Sequence, residues 1–164
     1  MFNSATATFV APSDPSGVGG MRHKFIRAVP SWQHGPARYD CVYVSTDNTK
    51  EGMLSMDIAR VYCFFSLTYT DRQTFSCALV RWFDLIADEP DDLTGMWMIA
   101  PSFIGESENL AVIHVDTIVR SAHLIPIFGQ RPVPPFVSFY NSLDAFRGFY
   151  VNGFADHHAF ELVS

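Results

Sequence analysis

The sequence predicts a mainly β fold, a small and partly open barrel of five to seven strands with a short C-terminal helix. Three observations carry that prediction. Runs of β-branched and aromatic residues recur from residue 39 to residue 128, and several alternate with a period of two. The connectors between these runs are short, and polar or proline-bearing. Only near the C-terminus does the apolar spacing lengthen to that of a helix.

In chain order, residues 1–20 are rich in Ser, Thr, Ala, Pro and Gly and end in "SDPSGVGG". They predict a flexible arm, with too little apolar surface to order itself. Residues 21–164 then form a single barrel-like domain, as expected for a chain of this length. The prolines of "AVPSWQHGPARYD" interrupt regular structure, and Trp32 is expected to anchor that loop to the core. "YDCVYVS" (39–45) is the first strand. In "ARVYCFFSLTY" (59–69), Val61, Cys63, Phe65, Leu67 and Tyr69 alternate with Arg60, Tyr62, Phe64, Ser66 and Thr68. "TDRQ" (70–73) suits a hairpin connection to "TFSCALVRWF" (74–83), where Ser76, Ala78, Val80 and Trp82 oppose Cys77, Leu79, Arg81 and Phe83. "GMWMIAPSF" (95–103), "LAVIHVDTI" (110–118) and "RSAHLIPIF" (120–128) complete the strands, and "RPVPP" is a rigid connector. "NSLDAFRGFYVNG" (141–153) reads as the helix, with Ser142 as N-cap, Asp144 in the first turn and Gly153 as the stop.

Composition limits function. The formal net charge is −6 and the only lysines are Lys24 and Lys50, so the chain as a whole does not attract polyanions. The one basic cluster, "MRHKFIR" with Arg22, Lys24 and Arg27, reads as a solvated lead-in to the domain. Cys41, Cys63 and Cys77 lack CxxC spacing and sit in apolar runs, so reduced, mostly buried thiols of an intracellular protein are expected. No segment reaches the roughly 18 apolar residues that span a bilayer, so no membrane association is expected.

Candidate chemistry is sparse. His157 and His158 are adjacent and so diverge, while Asp156 with His158 and His114 with Asp116 make only i, i+2 pairs. A metal site needs three or four ligands, and none is expected; nor is a cofactor. The chain has no GxSxG elbow, and "SGVGG" precedes any strand, so no catalytic residue is assigned. The acidic connector "DEPDD", with Asp88, Glu89, Asp91 and Asp92, stands apart. Trp82, Phe83 and Trp97 flank it within two strands, and aromatic faces near a carboxylate can hold a methylated ammonium. A polar, proline-bearing turn accounts for the same residues.

Several blocks carry a resemblance: "FIRAVPSWQHGPARYDCVYVSTD", "MDIARVYCFFSLTY", "CALVRWFDLIADEPDDLTGMWMIAPSF" and "VIHVDTIVRSAHLIPIFG". From about residue 8 onward the chain resembles the C-terminal region of Plavaka-type, cut-and-paste transposase-like proteins of mushroom-forming fungi. At the level of fold it is also similar to bromo-adjacent homology domains. Their "IARI" run, "V-x-WF-x-R-P-x-D" strand and closing "V-x-S-I" segment fall on Ile58–Val61, Val80–Asp84 and Val115–Ile118. The chain departs from that pattern in having "LIADEPDD" where "RPEDT" belongs. The resemblance implies a chromatin-type β-barrel module of a nuclear, transposon-derived protein, whose nuclease carboxylates would lie upstream.

The expected function is therefore a non-enzymatic interaction module. Its partner would be a basic protein or peptide, such as a histone tail, or another domain of the transposase. Its site would comprise Trp82, Phe83, Asp88, Glu89, Asp91, Asp92 and Trp97. Three alternatives stay open. An accessory DNA-binding domain would need Arg22, Lys24, Arg27, Arg38 and Arg120 on one face. A small hydrolase or lyase would need two of His114, Asp116, His123 and His158 in one pocket. A structural, oligomer-forming domain would suit the high aromatic content.

Overall fold

A computed structural model describes residues 1–11, 19–70, 72–129 and 132–164. Most of the predicted "SDPSGVGG" segment, one residue of "TDRQ" and the start of "RPVPP" lie outside the described residues. The chain is mainly β, and its largest sheet is a nearly closed barrel of seven strands with a short C-terminal helix.

Three strands build a separate sheet: β1 (Ser4–Val10), β2 (Met21–Val29) and β3 (Arg38–Tyr39), in the order β1-β2-β3. The barrel comprises β4 (Cys41–Ser45), β5 (Met56–Thr68), β6 (Thr74–Leu85), β7 (Trp97–Pro101), β11 (Ile118–Ala122), β12 (Leu124–Pro126) and β13 (Phe149–Val151). Between β7 and β11 come the short hairpin β8 (Phe103–Ile104) and β9 (Ser107–Glu108), and then β10 (Leu110–His114), which pairs with β6. The barrel order is β11-β4-β5-β6-β7-β13-β12. Its two end strands are consecutive in sequence, joined through His123, so one corner of the chain nearly shuts the sheet.

Strand alternation sorts side chains into two cores. One is fed by all seven barrel strands, through Cys41, Tyr43, Met56, Ile58, Phe83, Trp97, Ile99, Phe149 and Val151 with Val119, Ala122 and Leu124, and so fills the interior. The other lies between the outer wall and the N-terminal sheet. There Ala7, Ile26 and Ala28 pack on Val42, Val44, Ala59, Val61, Ala78 and Val80.

"LAVIHVDTI" and "RSAHLIPIF" are not two strands, since a 3-10 turn at Val115–Thr117 and a break at His123 divide them into β10, β11 and β12. Four further expectations need correction. The arm is not uniformly flexible, because Ser4–Val10 pairs in register with β2 from Ser4↔Arg27 to Val10↔Met21. Small side chains suffice there, since Ala7 sits close against the wall. Alternation in β5 also breaks. A bulge at Tyr62 resets the register, so Phe64 rather than Cys63 joins the core that Val61 enters.

The third concerns "NSLDAFRGFYVNG", which is not one helix. It yields a single turn, α1 (Ser142–Ala145), with Asn141 rather than Ser142 at its N-cap, and then β13. Phe149 and Val151 alternate into the barrel and pair with both neighbours, and that burial outweighs the helical spacing. The C-terminal helix is α2 (His157–Val163), capped by Asp156, whose Oδ1 accepts from the Ala159 N–H at 2.8 Å. Finally, Trp32 is half-buried and held by cations, with the guanidinium carbons of Arg27 and Arg38 at 4.2 and 5.3 Å from its ring.

Three arginines on barrel strands are buried: Arg60, Arg81 and Arg120. Each meets a carboxylate from a distant segment, Asp144 at 2.6 Å, Glu108 at 2.8 Å and Asp156 at 2.5 Å. A buried guanidinium is tolerable only when so paired.

Candidate functional site

The acidic connector lies between β6 and β7 as a built turn. Asp91 accepts from the Thr94 N–H at 3.0 Å and from its hydroxyl at 2.8 Å. The Asp91 N–H donates to Met96 O, and the Gly95 N–H donates to Asp91 O at 2.7 Å. Gly95 sits at φ +67, a left-handed turn position that a side chain rarely adopts. Asp91 is thus spent on holding the turn. Asp88, Glu89 and Asp92 are exposed around it, and Leu93 at the tip is 95 % exposed.

The flanking aromatics do not form the expected cage. Phe83 is buried in the barrel and meets Phe149 edge to face at 5.9 Å. Trp82, half-buried, packs on the other core. Trp97 is only 8 % exposed, and its indole N–H donates to Val163 O at 3.2 Å. Alternation separates Trp82 from Phe83 as expected, but Trp82 and Trp97 then serve different cores and cannot face one ligand.

An apolar groove of about 220 Å³ takes the place of the cage. Pro90 of the connector, the buried Trp97, Phe154, Phe160 and Val163 line it. The Phe154 and Phe160 rings lie 5.9 Å apart, and both are exposed. Pro90 and Gly95 are the connector's residues in the groove lining; the carboxylates neighbour Pro90 in sequence and do not line the groove. Phe154 and Phe160 escaped the sequence reading, since their short segment offers no period long enough to recognise.

The basic residues are brought together more than their sequence spacing suggested. Lys24, Arg27, Arg38 and Arg120 line one cleft, while Arg22 is not among its lining residues. Asp156 touches two of them, lying 3.1 Å from Lys24 Nζ and accepting a two-pronged contact from Arg120. Those donors hold the Asp156 carboxyl well below the usual carboxylate range, against the opposing effect of burial. His158 Nδ1 lies 2.9 Å from Arg120 Nη1, and its ring stacks on Phe9 at 4.4 Å. Burial first, and the Arg120 charge second, push its pKa down. Of the four groups that an enzyme was expected to gather, His123 lines this cleft, while His114 and Asp116 pair with each other elsewhere at 3.3 Å.

Cys41 and Cys77 are buried and Cys63 is half-buried, all as free thiols, and burial pushes the Cys41 thiol up to about 12. Among the described residues no cluster of three or more His, Cys, Asp or Glu could hold a metal ion, and no helix is long and apolar enough to cross a membrane. Compared with protein-family models, curated proteins and solved structures, the chain matches none of them.

Proposed function

We propose that this chain is a non-enzymatic interaction module that grips a basic protein segment by one apolar anchor residue. The observation that supports it is the groove of Pro90, Trp97, Phe154 and Phe160, because Pro90 in its lining belongs to the same connector that exposes Asp88, Glu89 and Asp92. At about 220 Å³ it falls below the roughly 300–1,000 Å³ of small-molecule pockets, and suits a single side chain. The carboxylates would steer Lys and Arg residues on either side of that anchor. Taken with the family resemblance, the segment would be a histone tail or another part of the transposase, met in the nucleus. DNA binding has less support as the main role. Three of the four gathered cations touch a carboxylate, and they line a cleft rather than a stripe along which a duplex could lie.

The test is fluorescence anisotropy with labelled Lys/Arg-rich peptides that carry one Leu, Met or Phe, against labelled duplex DNA. Asp88→Asn, Glu89→Gln and Asp92→Asn together, sparing Asp91, should weaken peptide binding several-fold at low salt with no change in melting temperature. The deficit should shrink as salt rises. Phe154→Ala with Phe160→Ala should weaken binding at every salt concentration. Duplex DNA binding more tightly than the peptides, or unchanged peptide affinity in both variants, would overturn the proposal.

A further inference from the structure

The basic cleft at the other end of α2 carries a separate inference, independent of the groove. It holds about 500 Å³. Lys24 and Arg27 come from β2, Arg38 from β3 and Arg120 from β11, with Tyr43 of β4 also in the lining. Two of these side chains have donors that nothing uses. Tyr43 is 1 % exposed and its hydroxyl meets no hydrogen-bond partner; Arg120 is 1 % exposed and its Nε meets none either. Burial pushes the Tyr43 phenol up to about 12, so it remains an O–H donor at any physiological pH. The Nε atoms of Arg60 and Arg81, outside the cleft, are likewise without a partner, so the Tyr43 hydroxyl is the donor that sets this cleft apart. A buried hydroxyl without an acceptor is costly.

Charge points the same way. The four cations touch two carboxylates, Asp40 on Arg38 at 2.8 Å and Asp156 on Lys24 and Arg120. An excess of two positive charges remains, in a chain whose net charge is −6. Arg27 has its guanidinium stacked over Trp32 at 4.2 Å, while its backbone N–H, rather than its side chain, takes Asp40 Oδ2 at 2.9 Å. Its planar fork is therefore oriented by the indole.

We propose that this cleft binds a phosphate monoester. The group is close to dianionic at neutral pH, with a second pKa near 6, and its terminal oxygens accept hydrogen bonds. That matches both the charge excess and a set of guanidinium, ammonium and phenol donors. The volume exceeds what phosphate alone needs and leaves room for the group that carries it, beside the exposed ring of Phe25. A nucleotide and a phosphorylated side chain share this chemistry.

The experiment is isothermal titration of the full chain at fixed ionic strength. The probes are inorganic phosphate, a nucleoside 5′-monophosphate, a phosphoserine peptide with its unphosphorylated twin, and duplex DNA. At least one monoester should bind tenfold or more tightly than DNA, whose phosphates are monoanionic diesters. Arg27→Gln with Arg38→Gln should weaken it at least tenfold. Tyr43→Phe should weaken it several-fold without lowering the melting temperature, because it removes a donor that the unliganded fold leaves idle. A nucleotide preference identifies one source, and a preference for the phosphopeptide over its twin identifies the other. No monoester binding at millimolar concentration overturns the proposal, as do equal affinities in parent and variants, or tighter binding of DNA.

Discussion

The first and last turns of α2 face surfaces of opposite character. At its start, Asp156 caps the helix and engages Lys24 and Arg120, and Ala159 reaches the basic cleft. At its end, Phe160 and Val163 line the apolar groove together with Trp97 and Phe154. One seven-residue helix is therefore anchored at one end by charge geometry and at the other by apolar area. A charged anchor is strong only while both partners keep their charge and registry. An apolar anchor is indifferent to pH and salt, but yields in proportion to the area removed. The two ends should therefore fail under different conditions.

The largest expected effect is at the charged end. Asp156→Asn keeps the volume and one acceptor oxygen but removes the countercharge of Arg120, which is 1 % exposed and cannot turn to solvent. Breaking a buried pair from one side typically costs about 3–5 kcal/mol, and the partial exposure of Asp156 places this case near or below the lower end. Urea unfolding should read a loss of about 2–3 kcal/mol. A loss below about 0.5 kcal/mol would mean that the guanidinium is satisfied without its partner.

Little of this contact was legible in the sequence. Arg60, Arg81 and Arg120 alternate with apolar residues, and a period-two reading assigns such positions to a solvated face. Each instead turns inward to a carboxylate remote in sequence, Asp144, Glu108 and Asp156. The cleft cations come from three strands and are united only by topology. By contrast, "TFSCALVRWF" is legible, because its two faces meet the two cores as alternation indicates. "LAVIHVDTI" is legible only in part. Ala111, Ile113 and Val115 do face one core, but the strand ends at His114, where Val115–Thr117 turn as a 3-10 helix toward β11. Fold class follows from such local periodicity. The candidate sites depend on closure of the barrel and on a short helix whose "HHAFELV" has too few turns to announce itself. Even the strand at the N-terminus left a faint trace, since Ala5, Ala7 and Phe9 alternate with Thr6 and Thr8 and all three pack on the outer core.

Acid should release the same end in two stages. Arg120 can only donate, so His158 Nδ1 accepts from it and the imidazole is neutral there. The folded pKa of His158 lies below the ordinary value near 6.5. Asp156 and Glu161 oppose that shift, while Arg120 and Lys24 reinforce the effect of burial. Its contribution is thus complete above about pH 6.5 and declines as the pH falls toward the folded value. Asp156, also held below its ordinary value, contributes fully above about pH 4 and loses that contribution at lower pH. Melting temperature against pH should show a shallow limb beginning near pH 6.5 and a steeper one below about pH 4. His158→Gln should erase the first limb and leave the second. A single limb in both proteins would separate His158 from the anchor.

The smallest effect is expected at the apolar end, from Trp97→Phe. The substitution keeps an aromatic ring in the barrel core and in the groove wall but deletes the indole N–H that donates to Val163 O at 3.2 Å. That carbonyl lies in the last turn of α2, where helix acceptors lack intrahelical partners. Loss of one neutral hydrogen bond costs about 0.5–1.5 kcal/mol, and the smaller ring adds a modest cavity term. Stability should therefore fall by about 1–2 kcal/mol, by the same amount at pH 5 and pH 8, and equally in low and high salt. The pH limbs should keep their positions, because neither His158 nor Asp156 touches the indole. Peptide affinity should fall as well, since the groove wall shortens, whereas phosphate binding should not change. If Trp97→Phe instead shifts the limb near pH 6.5 or weakens phosphate binding, the two ends of α2 respond as one unit and the helix couples the two sites.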